Sequence, residues 1–226
     1  FHRLRPLACA LALIAAPVLL VLVGRGPGGE WLVLGARDLA VVLPWRLPRL
    51  LATAGAGGLL AVAGLVLQRV TGNPLASPEI TGVSAGAVLG AAAALLFTSV
   101  GTLGLTLAAT IGAAAALLLV VALAAGAAFS PDRMLLAGVA LTALVDALVG
   151  VLMATGDAQA VQLMAWLAGS AGGIGLPVAL GVAASLPLLT AIAVLAARWL
   201  VILPLGAAPA TAIGVPVGGA RASLLL

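Results

Sequence analysis

Asp146 is a carboxylate in the middle of an otherwise apolar run, Met134–Ala154. A charge at the centre of a lipid-spanning helix costs roughly 2.5–3.5 kcal/mol on the insertion scale, so Asp146 should face protein or water. Gly138, Thr142, Asp146 and Gly150 recur every four residues and form one small, polar stripe. The stripe has two readings, a translocation pathway and a buried hydrogen bond between helices. Arg46 and Arg49 lie three apart around Pro48, at the mouth of another apolar run. Ordinary interfacial anchoring, with the arginines snorkelling to headgroups, is one account of them, and docking of a partner is the other. Gly82-Val83-Ser84-Ala85-Gly86 matches the G-x-S-x-G nucleophile elbow. That motif needs a strand before it and a histidine partner. No strand pattern precedes it, and the single histidine is His2, so a glycine-packed helix start is the better reading. No catalytic residue is assigned. His2, Cys9 and six scattered carboxylates make no metal site, and a lone cysteine forms no internal disulfide.

These residues must be positioned by membrane helices. Of 226 residues, 64% are apolar and 7% charged, against roughly 25% charged in a soluble domain. Mean hydropathy is +1.34. No soluble fold of this size hides so much apolar surface. The expected class is all-α, a polytopic membrane bundle in one transmembrane domain over residues 1–226. All ten basic residues are arginine, spread without a cluster, and seven aromatics offer no stacking platform, which argues against nucleic-acid binding.

Six apolar spans are expected, at Leu7–Val23, Leu50–Leu67, Val83–Val100, Leu103–Ala125, Met134–Ala154 and Pro177–Ala197. Ala222–Leu226 starts a seventh. A signal peptide is the alternative for the first, but Pro17 lies inside it and no small-x-small cleavage site follows. Pro44 and Pro48 predict a break before the second span. Thr155–Leu176 is expected to be a polar connection and Leu205–Arg221 a Gly/Pro-rich loop. With the N-terminus inside, six arginines (3, 5, 69, 133, 198, 221) lie inside and four outside, all four within Gly24–Arg49. Two rows of small residues at spacing four, Gly82/Gly86/Gly90 and Gly104/Ala108/Gly112/Ala116, predict close helix packing. Both chain ends look like those of a fragment.

Several stretches together resemble one family. They are Arg46-Leu47-Pro48-Arg49, Ala61–Gln68, Asn73-Pro74-Leu75-Ala76-Ser77-Pro78 and Gly82–Ala87. Leu135–Leu141, Trp166–Ser170, Leu205-Gly206 and Ile213–Val217 continue the order more weakly. The chain resembles FecCD-type permease subunits of bacterial ABC importers for ferric siderophores, haem and cobalamin. Gln68, Asn73, Pro74, Pro78, Gly82 and Gly86 carry the motif.

The resemblance implies a multi-pass protein of the bacterial cytoplasmic membrane. The family fold has ten helices in two inverted halves, of which this chain holds a part. The implied partners are two cytoplasmic ATPase subunits, an extracytoplasmic binding protein and a second permease domain, as a homodimer or a fused pseudo-dimer. No cofactor is expected on this chain, since ATP would be bound by the ATPase, and no Walker A run is present. Arg46 and Arg49 match positions that pair with acidic residues of the binding protein. Gly206, Ala210 and Gly214 match the loop that docks on the ATPase, with Ala207 and Ala208 where the family has acidic residues. Two other classes remain open at this point, an ion-coupled carrier using Asp146 and a membrane-embedded enzyme.

Overall fold

The computed structural model describes residues 15, 18, 19, 21–25, 30–98, 100–125, 130–156, 158–169 and 171–225. Most of the expected first span, Leu7–Val23, lies outside them, as do His2 and Cys9. Short strands β1 (Val23–Arg25) and β2 (Trp31–Val33) pair antiparallel, Gly24 opposite Leu32. Nine helices follow among the described residues: α1 (Ala36–Thr71), α2 (Val83–Phe97), α3 (Thr102–Ala124), α4 (Pro131–Ala154), α5 (Ala158–Leu167), α6 (Leu176–Leu195), α7 (Ala197–Ile202), α8 (Ala207–Ala212) and α9 (Val217–Leu225). Two 3₁₀ turns, Pro78–Thr81 and Leu203–Leu205, interrupt them.

Four of these helices, α1, α3, α4 and α6, are long and apolar enough to cross a membrane. The 15-residue α2 is shorter, about 22 Å. The apolar runs therefore locate α2, α3, α4 and α6 to within a few residues. α4 starts at Pro131, three residues before the expected Met134, because Ser130 caps it. The Ser130 hydroxyl accepts from the Arg133 amide at 3.4 Å, Pro131 occupies the first turn and Asp132 faces the helix dipole.

The expected break at Pro44 and Pro48 is absent. α1 runs through both prolines for 36 residues. Each proline removes one bond of the helix ladder, to the carbonyl four residues earlier. Because they are four apart, both losses fall on one face. The remaining ladder holds. The Thr155–Leu176 connection also contains an unexpected element, α5, whose Ala160 and Leu163 are buried. α9 begins at Val217, five residues before the expected start of the seventh span.

The chain divides into two compact units, Phe1–Ala56 with Ala171–Ala184, and Gly57–Ser170 with Ser185–Leu226. In the first, α1 and α6 approach at Gly55, where an added Cβ would lie 3.0 Å from Val182 and 3.1 Å from the Ala183 amide nitrogen.

In the second unit, the two predicted rows of small residues pack on each other. A Cβ on Gly86 would run into the Gly112 carbonyl and Ala116, and one on Gly112 would run into the Gly86 carbonyl. Gly90 meets Ala108 in the same way. Two buried clusters mark the ends of this unit. Leu67, Val70, Ala76, Val120, Val121, Ala124, Met134, Leu203 and Ala220 form one. Ala91, Ala92, Leu105, Ala109 and Leu163 form the other.

Gly112 and Gly150 should respond oppositely to the same change. Gly112→Ala places a methyl against the α2 backbone and should lower stability in detergent by about 1–3 kcal/mol. Around Gly150 there is nothing within 4 Å, so Gly150→Ala should gain up to about 1 kcal/mol from helix propensity. Thermal unfolding of the two variants checks this, and equal effects would contradict the packing.

Candidate functional site

The motif from Gln68 to Gly86 builds a stop, a turn and a restart. Thr71 ends α1 by donating its hydroxyl to the Leu67 carbonyl at 2.8 Å and accepting from the Asn73 amide at 3.2 Å. Gly72 takes a left-handed φ of 69°. The Asn73 side-chain oxygen then accepts from the Leu75 amide at 2.9 Å, an Asx turn, with Pro74 inside it. Ala76 inserts into the buried cluster. Pro78 opens the 3₁₀ turn and lies beside Gly64 of α1, where an added Cβ would be 3.9 Å from its Cδ. Gly82, with φ 75°, joins that turn to α2. Gln68 is half-buried on the last turn but one of α1. Ser84 is exposed in the first turn of α2, and a 3₁₀ turn rather than a strand precedes it.

This turn lies flat on α4. A Cβ on Gly138 would come within 2.8 Å of the Thr81 Cα, so only glycine admits the approach. Thr142 donates back to the Gly138 carbonyl at 2.9 Å and is partly buried. Asp146, one turn further, is exposed and has no hydrogen-bond or ion-pair partner among the described residues. Thr142 and Asp146 line a groove of about 370 Å³ with Glu79, Ile80, Val139 and Ala143. Sequence reasoning missed Glu79. Its distance along the chain hid it, and the close approach at Gly138 brings the 3₁₀ turn to α4.

The segment from Leu203 to Val217 is a short helix between two glycine hinges. Gly206 has φ 102° and ψ 167°, and Gly214 has φ 80°. Between them α8 buries Ala210 completely and exposes Ala208 and Pro209. The Val215 amide closes the loop on the Ala210 carbonyl at 3.0 Å. Leu203 on one side and Ala220 on the other enter the cluster of Val70, Val120 and Met134, with Val215 and Val217 packed against it. The three expected positions, Gly206, Ala210 and Gly214, are thus brought together on an anchored loop.

Arg46 and Arg49 sit on the first half of α1. Arg46 donates through Nη1 to the carbonyls of Val21 at 3.0 Å and Val23 at 2.7 Å. Arg49 donates through Nη2 to the Gly172 carbonyl at 3.1 Å. Both line a cavity of about 560 Å³ with Leu19, Val23, Trp31 and Leu50. The hairpin that Arg46 touches was not expected. Its signal is two short apolar runs, Val21-Leu22-Val23 and Trp31-Leu32-Val33, around a Gly/Pro-rich stretch.

Comparison with known proteins identifies the frame in which these sites occur. The FecCD transport family model matches residues 29–226. The chain is 39% identical over 230 residues to the iron(3+)-hydroxamate import system permease protein FhuB of Escherichia coli (strain K12), covering 100% of this chain and 35% of that protein. It is 42% identical over 217 residues to FhuB of Salmonella typhimurium, covering 96% of this chain and 31% of that one. The ferric enterobactin transport system permease protein FepD of Escherichia coli is 38% identical over 175 residues, 71% of this chain and 51% of that one. Among solved structures, an inward-facing metal-chelate type ABC transporter matches with a TM-score of 0.81 at 28% identity, over 97% of this chain and 69% of that chain. The chain spans about a third of the length of the two hydroxamate permeases. The match runs through the Asn73 turn, the Gly138 contact and the Gly206–Gly214 loop alike, and the chain belongs to the FecCD transport family.

Proposed function

We propose that this chain is part of the membrane-spanning permease of a bacterial ATP-driven importer for iron–siderophore-type chelates. The match of the family model over residues 29–226, with relatives named as iron-hydroxamate and enterobactin permeases, carries the proposal. The family is one of transport permeases, which sets the enzyme reading aside. ATP would bind to cytoplasmic ATPase subunits, substrate would arrive from an extracytoplasmic binding protein, and a second permease domain would complete the pathway in the cytoplasmic membrane.

The proposed topology has six spans and the start of a seventh, with α2, α3, α4 and α6 as the third to sixth and the second half of α1 as the second. Alternation puts the Asn73, Arg133 and Gly206 loops inside. The buried clusters support this. Residues next to all three loops, Val70 and Ala76, Met134, and Leu203, meet in one cluster. Leu105 and Leu163, next to loops assigned outside, meet in the other. The surface of α1 that carries Arg46 and Arg49 then lies outside and receives the binding protein. In a Cys9-free variant of the complete permease, a cysteine at position 166 should label from outside and one at position 73 should not; the reverse pattern would overturn the topology.

The Gly206–Gly214 loop is the proposed contact with the ATPase. Gly206 and Gly214 bound α8, and Leu203 and Ala220 tie it to the ends of α1, α3 and α4. Gly214→Trp in the complete importer should uncouple ATP hydrolysis from transport while leaving the permease inserted. Hydrolysis still stimulated normally by the loaded binding protein would remove this loop from the coupling path.

Gly138, Thr142 and Asp146 are proposed to border the pathway, with Glu79 in the same groove. The groove is also the observation that favours an ion-coupled carrier, since two carboxylates line it. Asp146→Asn keeps the shape and removes the charge. Transport should survive this change with an unaltered pH profile; loss of a pH dependence present in the unmodified protein would favour the carrier.

A further inference from the structure

Two arginines on an outer surface are too little to hold a partner by charge alone. Exposed ion pairs are weak and are screened by salt. Protein interfaces are held by a few central residues, most often tryptophan, tyrosine or arginine, in pockets that exclude water when the partner arrives. The first unit contains such a place beside Arg46 and Arg49.

Between the β1–β2 hairpin and α1 lies the cavity of about 560 Å³. Its walls are four apolar side chains, Leu19, Val23, Trp31 and Leu50, together with the two arginines. Trp31 is 71% exposed, so most of its surface is offered outward and little is used in packing. Arg25 is exposed too and lies over that ring, 5.1 Å from its centroid. Arg49 is exposed and gives one bond through Nη2, to the Gly172 carbonyl. A guanidinium carries five donors in a fork, so the rest of Arg49 is open to a carboxylate. The bonds of Arg46 to the Val21 and Val23 carbonyls hold its guanidinium at the cavity wall. Three positive charges thus border an apolar hollow, and no carboxylate is among the described residues that line it.

The occupant that complements this place is an apolar side chain with carboxylates beside it. A lipid tail would match the hollow and not the charges. The hollow is also continuous with the proposed docking surface, because Arg46 and Arg49 belong to both.

We propose that this cavity is an apolar socket for the binding protein: an aliphatic or aromatic side chain of the partner enters it against Trp31 and Leu50, and neighbouring carboxylates meet Arg46 and Arg49. This rests on the proposed topology and on the docking role of the arginines. Trp31 and Leu50 then supply grip that does not depend on salt, while the arginines supply steering and register that do.

The experiment uses the complete permease in nanodiscs and the purified binding protein of the same importer. Trp31→Ala removes one wall, Leu50→Trp fills the hollow, Trp31→Phe keeps an apolar ring, and Arg49→Glu reverses a charge. Trp31→Ala and Leu50→Trp should each weaken binding about tenfold or more, by a factor that is the same at low and high salt. Trp31→Phe should retain most of the affinity. Arg49→Glu should weaken binding at low salt, with the loss shrinking as salt rises. A photoreactive benzophenone side chain placed at position 31 should cross-link to the binding protein, which reads the occupant even where Leu50→Trp disturbs the fold. A cross-link to lipid or to a second permease copy would overturn the socket and name its occupant. Unchanged affinity in Trp31→Ala beside a weakened Arg49→Glu would refute the socket and leave the docking surface standing. Unchanged affinity in both would remove the docking surface itself, and the socket with it.

Discussion

Helices in lipid gain nothing by hiding apolar surface from one another, because the surrounding tails are equally apolar. Association has to come from close backbone approach, and in this chain that approach is made by glycine. Gly86 and Gly90 of α2 admit Ala108, Gly112 and Ala116 of α3 to distances that no side chain would tolerate. The same device repeats where Gly138 of α4 accepts the backbone of Thr81. Once these contacts are fixed, much else in the second unit follows. The 3₁₀ turn is pinned, Glu79 is carried to the Asp146 groove, and the neighbouring Asn73 turn lies over the buried cluster where Ala76 enters it.

What the sequence made legible follows the same physics. Long apolar runs have one stable state in lipid, so α2, α3, α4 and α6 could be located from composition alone. The small-residue rows predicted close packing because spacing four is one helix face. Their partners were not legible, since many rows of alanine and glycine satisfy the same pattern and only the fold selects Gly86 with Gly112. The proline break failed for a different reason. Pro44 and Pro48 signal a stop, but two losses on one face of a 36-residue helix leave the rest of the ladder intact. Helix α5 escaped notice because it is short and only Ala160 and Leu163 of its ten residues are buried, too few to mark a period. The bonds of Arg46 and Arg49 to Val21, Val23 and Gly172 were not legible, because backbone carbonyl acceptors carry no sequence signature.

The buried clusters give the second unit two distinguishable ends. Val70, Val120, Ala124, Met134, Leu203 and Ala220 are buried nearly completely, and they come from five segments separated by well over a hundred residues. A close-packed core of this kind does not deform gradually; it transmits displacement or switches between arrangements. Leu203 enters it immediately before the Gly206 hinge and Ala220 shortly after the Gly214 hinge. Leu203 and Ala220 thus join the two sides of α8 to the ends of α1, α3 and α4 through one cluster.

Alanine stands at Ala207 and Ala208, where the resemblance to the family leads to an expectation of acidic residues. Ala208 and Pro209 are exposed, Ala210 is fully buried, and the loop closes on itself through the Val215 amide and Ala210 carbonyl. The surface offered outward joins the small Ala208 and Pro209 to the exposed Leu205 and Ile213 on either side of them. An acidic loop would be drawn to a basic groove from a distance and would lose grip as salt rises. With alanine at both positions, the contact proposed for this loop would lack such steering and would depend on fit. The left-handed φ of Gly206 and Gly214 sets the turn geometry on either side of α8, which glycine adopts without strain.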